Sequence, residues 1–409
     1  MKTSSEDERT EGRPAPLAGV LVADFSRVLA GPLSSMFLAD LGATVVKVER
    51  PGAGDDTRAW GPPFVGGTST YFASVNRNKQ SLELDLSRPE DAELARRLAR
   101  RADVMVQNFR TGSLDRFGLD VATVRAANPA SVYCSITGFG SGPGADLPGY
   151  DFVVQALGGL MSITGEPAGA PTKVGVALVD VLTGLHATIG ILAALRERDR
   201  SGLGQHVEVN LMSSLIASLV NQGTGYLNGG GVPAAMGNRH PSIAPYETVA
   251  TKDGVIAVAI GNDRQFTALT DAVGRPGMAS EQAFATNSDR VRNRSELIAA
   301  LEDAMRHRTT EEWAAELRDR GLPCGRVNDI AQAIDLASDL GLAPIATVAG
   351  DPSGIATLAN PVRLDATPVR YHRAPPALGA DTVSLRAWLA DPTADPADRV
   401  TPGQRRNVS

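Results

Sequence analysis

Cysteine is nearly missing from this chain. Two occur in 409 residues, Cys134 and Cys324, too few for a disulfide framework or a cysteine-based zinc site. Blocks of lysine or arginine are also missing. The formal charge is -6, from 40 basic and 46 acidic residues, which removes the electrostatic footprint of a nucleic-acid binder. No uninterrupted apolar run approaches the ~18 residues of a membrane span. The opening Met1–Glu8 stretch is acidic and polar, the opposite of a signal peptide. What is present is ordinary globular composition, 43% hydrophobic and 21% charged. At about 150 residues per domain the length suits two or three domains. The expectation is a cytoplasmic, multidomain protein with neither nucleic acid nor membrane as partner.

Residues 1–15 lack apolar periodicity and are expected to form a disordered tail. Order begins at Leu17–Asp24, a short apolar run suited to a buried parallel strand. A helix is expected over Pro32–Leu41, with Pro32 in its first turn and Gly42 as its stop. Strands are expected at Thr44–Glu49, Ala102–Phe109 and Ala130–Thr137, and Ser87-Arg88-Pro89-Glu90 has the form of a capping box. Val174–Val179 repeats the apolar-run pattern, with Asp180 at its end and a helix over His186–Arg198. Gly223–Gly231 shifts to Gly and Asn and is taken as a linker or loop. Beyond it, Glu247–Val258 fits a hairpin about Lys252-Asp253-Gly254, and helices follow Asn293 and the capping box at Thr309. Strands alternating with helices indicate an α/β fold with a parallel, Rossmann-like sheet. The expected division is a large domain over 16–225, a smaller α+β domain over 226–330, and a 331–409 segment returning to the large domain.

Several chemistries can be weighed on the residues alone. A strand, a turn, a helix and then Glu49 outline a dinucleotide site, but the turn Ser26–Pro32 has one glycine where such a site uses three. NAD binding is therefore an unfavoured alternative. The five histidines make no His-x-x-x-His or Glu-x-x-His pair, so no metal site is expected. No Gly-x-Ser-x-Gly occurs, and Cys134 within a strand is simplest as a core residue. Asp180, at the end of an apolar run and before a helix, is a carboxylate where open α/β folds bind ligands, yet the pattern is met as simply by a helix cap. Arg50, Arg58, Arg77, Lys79 and Arg116 flank strand ends, where a guanidinium suits phosphate.

Taken together, a series of motifs resembles the class III CoA-transferases, the family of formyl-CoA transferase and carnitine CoA-transferase. They are Phe25–Pro32, Val48–Asp55, Asn76–Lys79, Val106–Phe109, Gly149–Asp151, Val179–Gly184, His240–Tyr246 and Gly321–Gly325. They occur in order from about Leu17 to about Gly379. Asp55–Gly66 and Tyr133–Gly138 are similar to the succinyl-CoA:glutarate (hydroxymethylglutarate) branch. The resemblance implies an interlocked homodimer, CoA esters as substrates with no tightly bound cofactor, and Asp180 as nucleophile. CoA contacts would fall on Arg27, Arg50, Leu84, Asp85, Asn108 and Arg116. Leu29 replaces the glutamine of the formyl-CoA transferases, which counts against oxalate as acceptor. Tyr150 would line the acyl pocket, and Arg27 or Arg58 would pair a distal carboxylate of a dicarboxylic acid. The implied reaction moves CoA from an acyl-CoA, succinyl-CoA in the first place, to a free acid such as glutarate. The α-methylacyl-CoA racemases of the same family are the alternative. Their proton transfer needs a His where Tyr150 stands, and a tyrosine has no suitable pKa for that role at neutral pH.

Overall fold

The computed structural model describes residues 13–348, 351 and 353–394. The expected tail therefore lies, up to residue 12, outside the described residues. The chain divides into two compact units. The larger takes the described residues up to Gly158, Val174–Thr224 and those from Ala343 onward; the smaller takes Gly159–Lys173 and Gly225–Leu342.

The larger unit is organised by six parallel strands: β1 (Leu21–Asp24), β2 (Thr44–Glu49), β3 (Lys79–Glu83), β4 (Val104–Gln107), β5 (Val132–Thr137) and β6 (His206–Asn210). Their spatial order is β3-β2-β1-β4-β5-β6. The order reverses between β1 and β4, and a doubly wound sheet opens a crevice beyond the carboxyl ends of its strands at such a point. Both faces are covered, which is why the central strands read as apolar runs. One face buries Leu21, Ala23, Val46, Leu82 and Met105 against Ala95 and Leu98. The other meets α1 (Ala30–Asp40), while the former is packed by α2 (Pro89–Arg101). Further along the chain come α3 (Asp151–Leu157), α4 (Leu178–Ser201) and α5 (Leu211–Ser218). Gly184 lets α4 lie on α1, since a Cβ there would come within 2.7 Å of the Ala30 carbonyl. Thr188 Oγ1 donates to Ser34 Oγ across the same contact at 3.0 Å.

Three expectations are corrected by these elements. Val174–Val179 is not a strand: Leu178 already begins α4, so Asp180 lies in a helix's first turn instead of at a strand's end. Of that apolar run only Val179 is buried, and it shares one buried face of α4 with Thr183 and Ala187. Ser87 closes no capping box, because the cap position is Arg88 with no side-chain bond and Pro89 takes the first turn. Gly223 to Leu227 belongs to a helix, Val220–Leu227, and a turn at Asn228 and Gly229 follows it. By length and composition α4 could also cross a membrane, although the uninterrupted-run criterion passed over it. In the fold its apolar stripe is taken up by α1 and the sheet.

The smaller unit has the antiparallel hairpin β7 (Tyr246–Ala250) and β8 (Val255–Ala259), with β9 (Cys324–Arg326) on its other side. Three helices pack on it: α6 (Asp263–Ala272), α7 (Arg294–Met305) and α8 (Thr310–Asp319). The Thr309–Glu312 capping box forms in both directions.

The last helix, α9 (Thr382–Ala390), belongs to the larger unit, where Leu385, Trp388 and Leu389 enter the same core as Leu21 and Leu82. Just before it, the Asp381 carboxylate accepts from Ser81 N and Thr382 Oγ1 accepts from Glu83 N, each at 3.0 Å. Edge strand β3 is thereby covered by the chain's own end.

Candidate active site

Two cavities open beyond the carboxyl ends of the large sheet. The first, about 320 Å³, is lined by Arg27, Leu29, Asn108, Tyr150 and Asp180. The second, about 450 Å³, is lined by Arg27, Arg50, Leu84, Asp85 and Arg116. Arg27 and Phe109 belong to both walls, so the cavities adjoin. The structure thus brings the residues singled out in the sequence to one crevice except Arg58, Arg77 and Lys79; the last two are buried on Asp40 and Asp24 and are not phosphate contacts.

Arg58 faces elsewhere. Its Nε and Nη2 donate to the two oxygens of Glu49 at 2.8 and 2.7 Å, its Nη1 to Pro376 O at 3.1 Å, and its guanidinium stacks 3.7 Å from the Phe72 ring centre. Burial alone would raise the Glu49 carboxyl, but its bonds from Arg58 and the Lys47 charge hold it below the ordinary value. Three of the five Arg58 N–H groups are thus engaged within the fold, and the cation serves Glu49.

Asp180 lies in the first turn of α4, half-buried. Beneath it stands Asp151, whose Oδ1 accepts from Val179 N at 2.8 Å and from Asp180 N at 3.3 Å. Gln155 Nε2 donates to the other oxygen of Asp151 at 2.7 Å. Asp151 therefore caps the helix that carries Asp180, the role that the sequence pattern alone left open for Asp180. Burial first, and the Asp151 charge second, push the Asp180 carboxyl up to about 7. The helix terminus that would favour its anion is already occupied by Asp151. The loop bearing Tyr150 and Asp151 is set by two glycines packed back to back: a Cβ on Gly149 would stand 2.5 Å from the Gly138 Cα.

Tyr71 is a neighbour the sequence reading passed over. Burial and the nearby charges of Asp180, Asp151 and Asp55 raise its phenol to about 12, so it stays a neutral donor. Its ring meets Trp60 edge to face at 5.2 Å. Asp151 was visible in the Gly149–Asp151 motif, but nothing in that motif shows what its carboxylate caps; Tyr71 has no signal beyond its place before Asn76.

In the second cavity Arg116 makes no ion pair among the described residues and rests 4.6 Å over the Phe117 ring. Arg50 leans on Asp56 at 2.6 Å, with 57% of its side chain exposed, and so is free to turn toward a phosphate. The Leu84 and Asp85 N–H groups are taken by Glu49 O and Asp91. This wall therefore offers a ligand no free N–H from Leu84 or Asp85.

A parallel sheet in doubly wound order, with a carboxylate and a basic crevice at its switch point, suits an enzyme whose ligand carries anionic groups. The CoA-transferase family III model matches residues 17–382, and the chain belongs to that family. It is 41% identical to the succinate–glutarate CoA-transferase of Agrobacterium fabrum, over 92% of this chain and 96% of that protein. It is 43% identical to the succinyl-CoA:glutarate CoA-transferase of Homo sapiens, over 77% of this chain and 72% of that protein. Among solved structures, a CAIB/BAIF family protein from Brucella suis matches with a TM-score of 0.82 at 42% identity, covering 92% of this chain and all of that one.

Proposed function

We propose that this enzyme transfers CoA from succinyl-CoA to glutarate, through covalent intermediates on Asp180. The observation that carries the reading is the placement of a half-buried carboxylate in one cavity that adjoins a second, basic one through Arg27 and Phe109. Relatives named for succinyl-CoA and glutarate support the substrate pair. CoA esters are then substrates, with no resident cofactor. An interlocked homodimer and a cytoplasmic setting complete the reading.

An Asp180 oxygen attacks the succinyl thioester carbonyl; the C–S bond breaks, leaving a succinyl-aspartyl anhydride and CoA thiolate. The thiolate attacks the aspartyl carbonyl, freeing succinate and leaving an aspartyl-CoA thioester. A glutarate oxygen attacks that thioester, and the released thiolate then takes the glutaryl group from the resulting anhydride. No proton is gained and nothing is oxidised. The energy of the thioester is kept in acyl bonds, which divides one hard exchange into easier steps. A carboxyl raised to about 7 is more basic than an ordinary aspartate and so a better nucleophile once ionised. Arg50 and Arg116 suit the phosphates of CoA, and Leu84 and Asp85 flank its ring. Leu29 and Tyr150 bound the acyl group, Asn108 sets the Arg27 backbone, and Arg27 is the cation for the distal carboxylate.

The test is mass spectrometry of acyl-CoAs after mixing enzyme, succinyl-CoA and a panel of free acids, with Asp180→Asn as control. Glutaryl-CoA formed by the wild type alone is expected. Exchange that survives Asp180→Asn, or α-proton exchange without an acceptor, overturns the reading; the latter is the racemase outcome.

A further inference from the structure

Four charged side chains lie buried together behind the loop joining β1 to α1: Asp24, Lys47, Asp55 and Lys79. Lys47 Nζ is 2.8 Å from Asp55 Oδ2 and donates to Ser26 O at 2.8 Å. Lys79 Nζ reaches Asp24 Oδ2 at 3.1 Å and donates to Pro32 O and Asn76 Oδ1, both at 2.9 Å. Asp24 accepts from Ser26 N at 2.9 Å and from Ser35 Oγ at 2.6 Å. These contacts converge on the Ser26–Ser35 segment.

The Asp55 carboxylate adds one more. Both of its oxygens stand 3.3 Å from Val28 N. Val28 has φ +70°, a left-handed conformation that a β-branched residue adopts only under constraint. On the other side of the turn, Asn108 Oδ1 accepts from Arg27 N at 2.8 Å and its Nδ2 donates to Arg27 O at 2.7 Å. The turn is held from both sides. Its residues Arg27 and Leu29 line the cavity of Asp180, while Lys47 and Asp55 line the adjoining one. A buried ion pair is weak evidence for stability, since apolar replacements of both partners are often neutral. Beside a strained turn that carries the pocket wall, such a pair has a different use.

We propose that Lys47 and Asp55 are positioning residues: their buried pair fixes the Val28 peptide so that Arg27 and Leu29 meet the acceptor acid beside Asp180. This rests on reading the first cavity as the acyl site.

Two substitutions at one position separate turn geometry from side-chain loss. Val28→Pro removes the N–H that Asp55 accepts and forbids φ +70°, while leaving both charges paired. Val28→Gly alters the same side chain but keeps the N–H and takes positive φ freely. The glutarate KM of V28P is expected to exceed that of V28G by about tenfold or more, a loss that strain in the turn accounts for. Arg27 also borders the second cavity, so the two variants' affinities for CoA, measured by titration calorimetry, are expected to differ by less than their glutarate KM values do. Lys47→Met with Asp55→Asn leaves no orphan charge, and is expected to raise the glutarate KM at least about fivefold with kcat far less affected. A V28P to V28G ratio below about threefold overturns the proposal, as does a wild-type KM in the double variant. If neither V28P nor the double variant folds, hydrogen exchange in the wild-type enzyme decides. Protection of Val28 N–H is expected, and exchange at the free-peptide rate overturns the assignment. Absence of any transfer by the wild type would instead overturn the reaction reading, with Val28 protection still measurable.

Discussion

Asp151 caps the helix on which Asp180 sits, accepting from the backbone N–H groups of Val179 at 2.8 Å and of Asp180 at 3.3 Å. One carboxylate thus orients the other and also resists its ionisation, because their charges repel.

The pH dependence follows in sign. With the Asp180 carboxyl raised to about 7, kcat/KM is expected to climb with pH through about 7 and level above about 8. Asp151→Asn removes the repulsion, so the acid limb should move to lower pH, though loss of a charged cap weakens the helix start. A limb at an ordinary carboxylate pKa in the wild type would contradict this.

Stability responds in the same sense. A carboxyl whose folded pKa is raised contributes stability fully below its unfolded pKa, near 3.9, and loses that contribution as pH rises through about 7. Asp180→Asn lacks the titration. Its melting temperature should exceed that of the wild type at pH 8 and converge with it near pH 4.

Arg58→Ala is expected to act on stability. It leaves buried Glu49 without its cation, which costs about 3–5 kcal/mol for a buried pair. Melting measurements should show the loss, and the preference for dicarboxylates over monocarboxylates should stay within about twofold. Arg27→Ala is expected to reduce that preference by about tenfold, the effect of losing one charge-assisted pair.

Arg50→Ala and Arg116→Ala should each raise the KM for succinyl-CoA by roughly tenfold, in line with one lost charge-assisted bond. The glutarate KM should change far less. Steady-state kinetics with each substrate varied in turn separates the two.

The central strands β1, β2, β4 and β5 are legible in the sequence because a strand buried on both faces has little choice but to be apolar. The outer strands are not. β3 reads Lys-Gln-Ser-Leu-Glu, and the burial of Lys79 makes sense only beside Asp24, a neighbour 55 positions away. β6, His-Val-Glu-Val-Asn, alternates as an edge strand does and was passed over. The residues gathered in the crevice were legible through motifs, since each motif follows a strand or opens a helix at the same end of the sheet. What spacing could not reveal is who caps whom: Asp180 had the position expected of a cap, and Asp151, from a separate helix, performs that role. Nor could it reveal that Arg58 is taken up by Glu49.

The place of α9 in the core has a consequence for synthesis. Trp388 packs in the same cluster as Leu21 and Leu82, and Asp381 and Thr382 cover the backbone of β3. The wall that Trp388 completes leaves the ribosome roughly 300 residues before it does, an interval of about 15–60 s at 5–20 residues per second. Throughout that interval the nascent sheet lacks the α9 share of this core, beside α2, and keeps an open edge. Expression yield should therefore depend on chaperone supply during elongation more than on the stability of the finished enzyme.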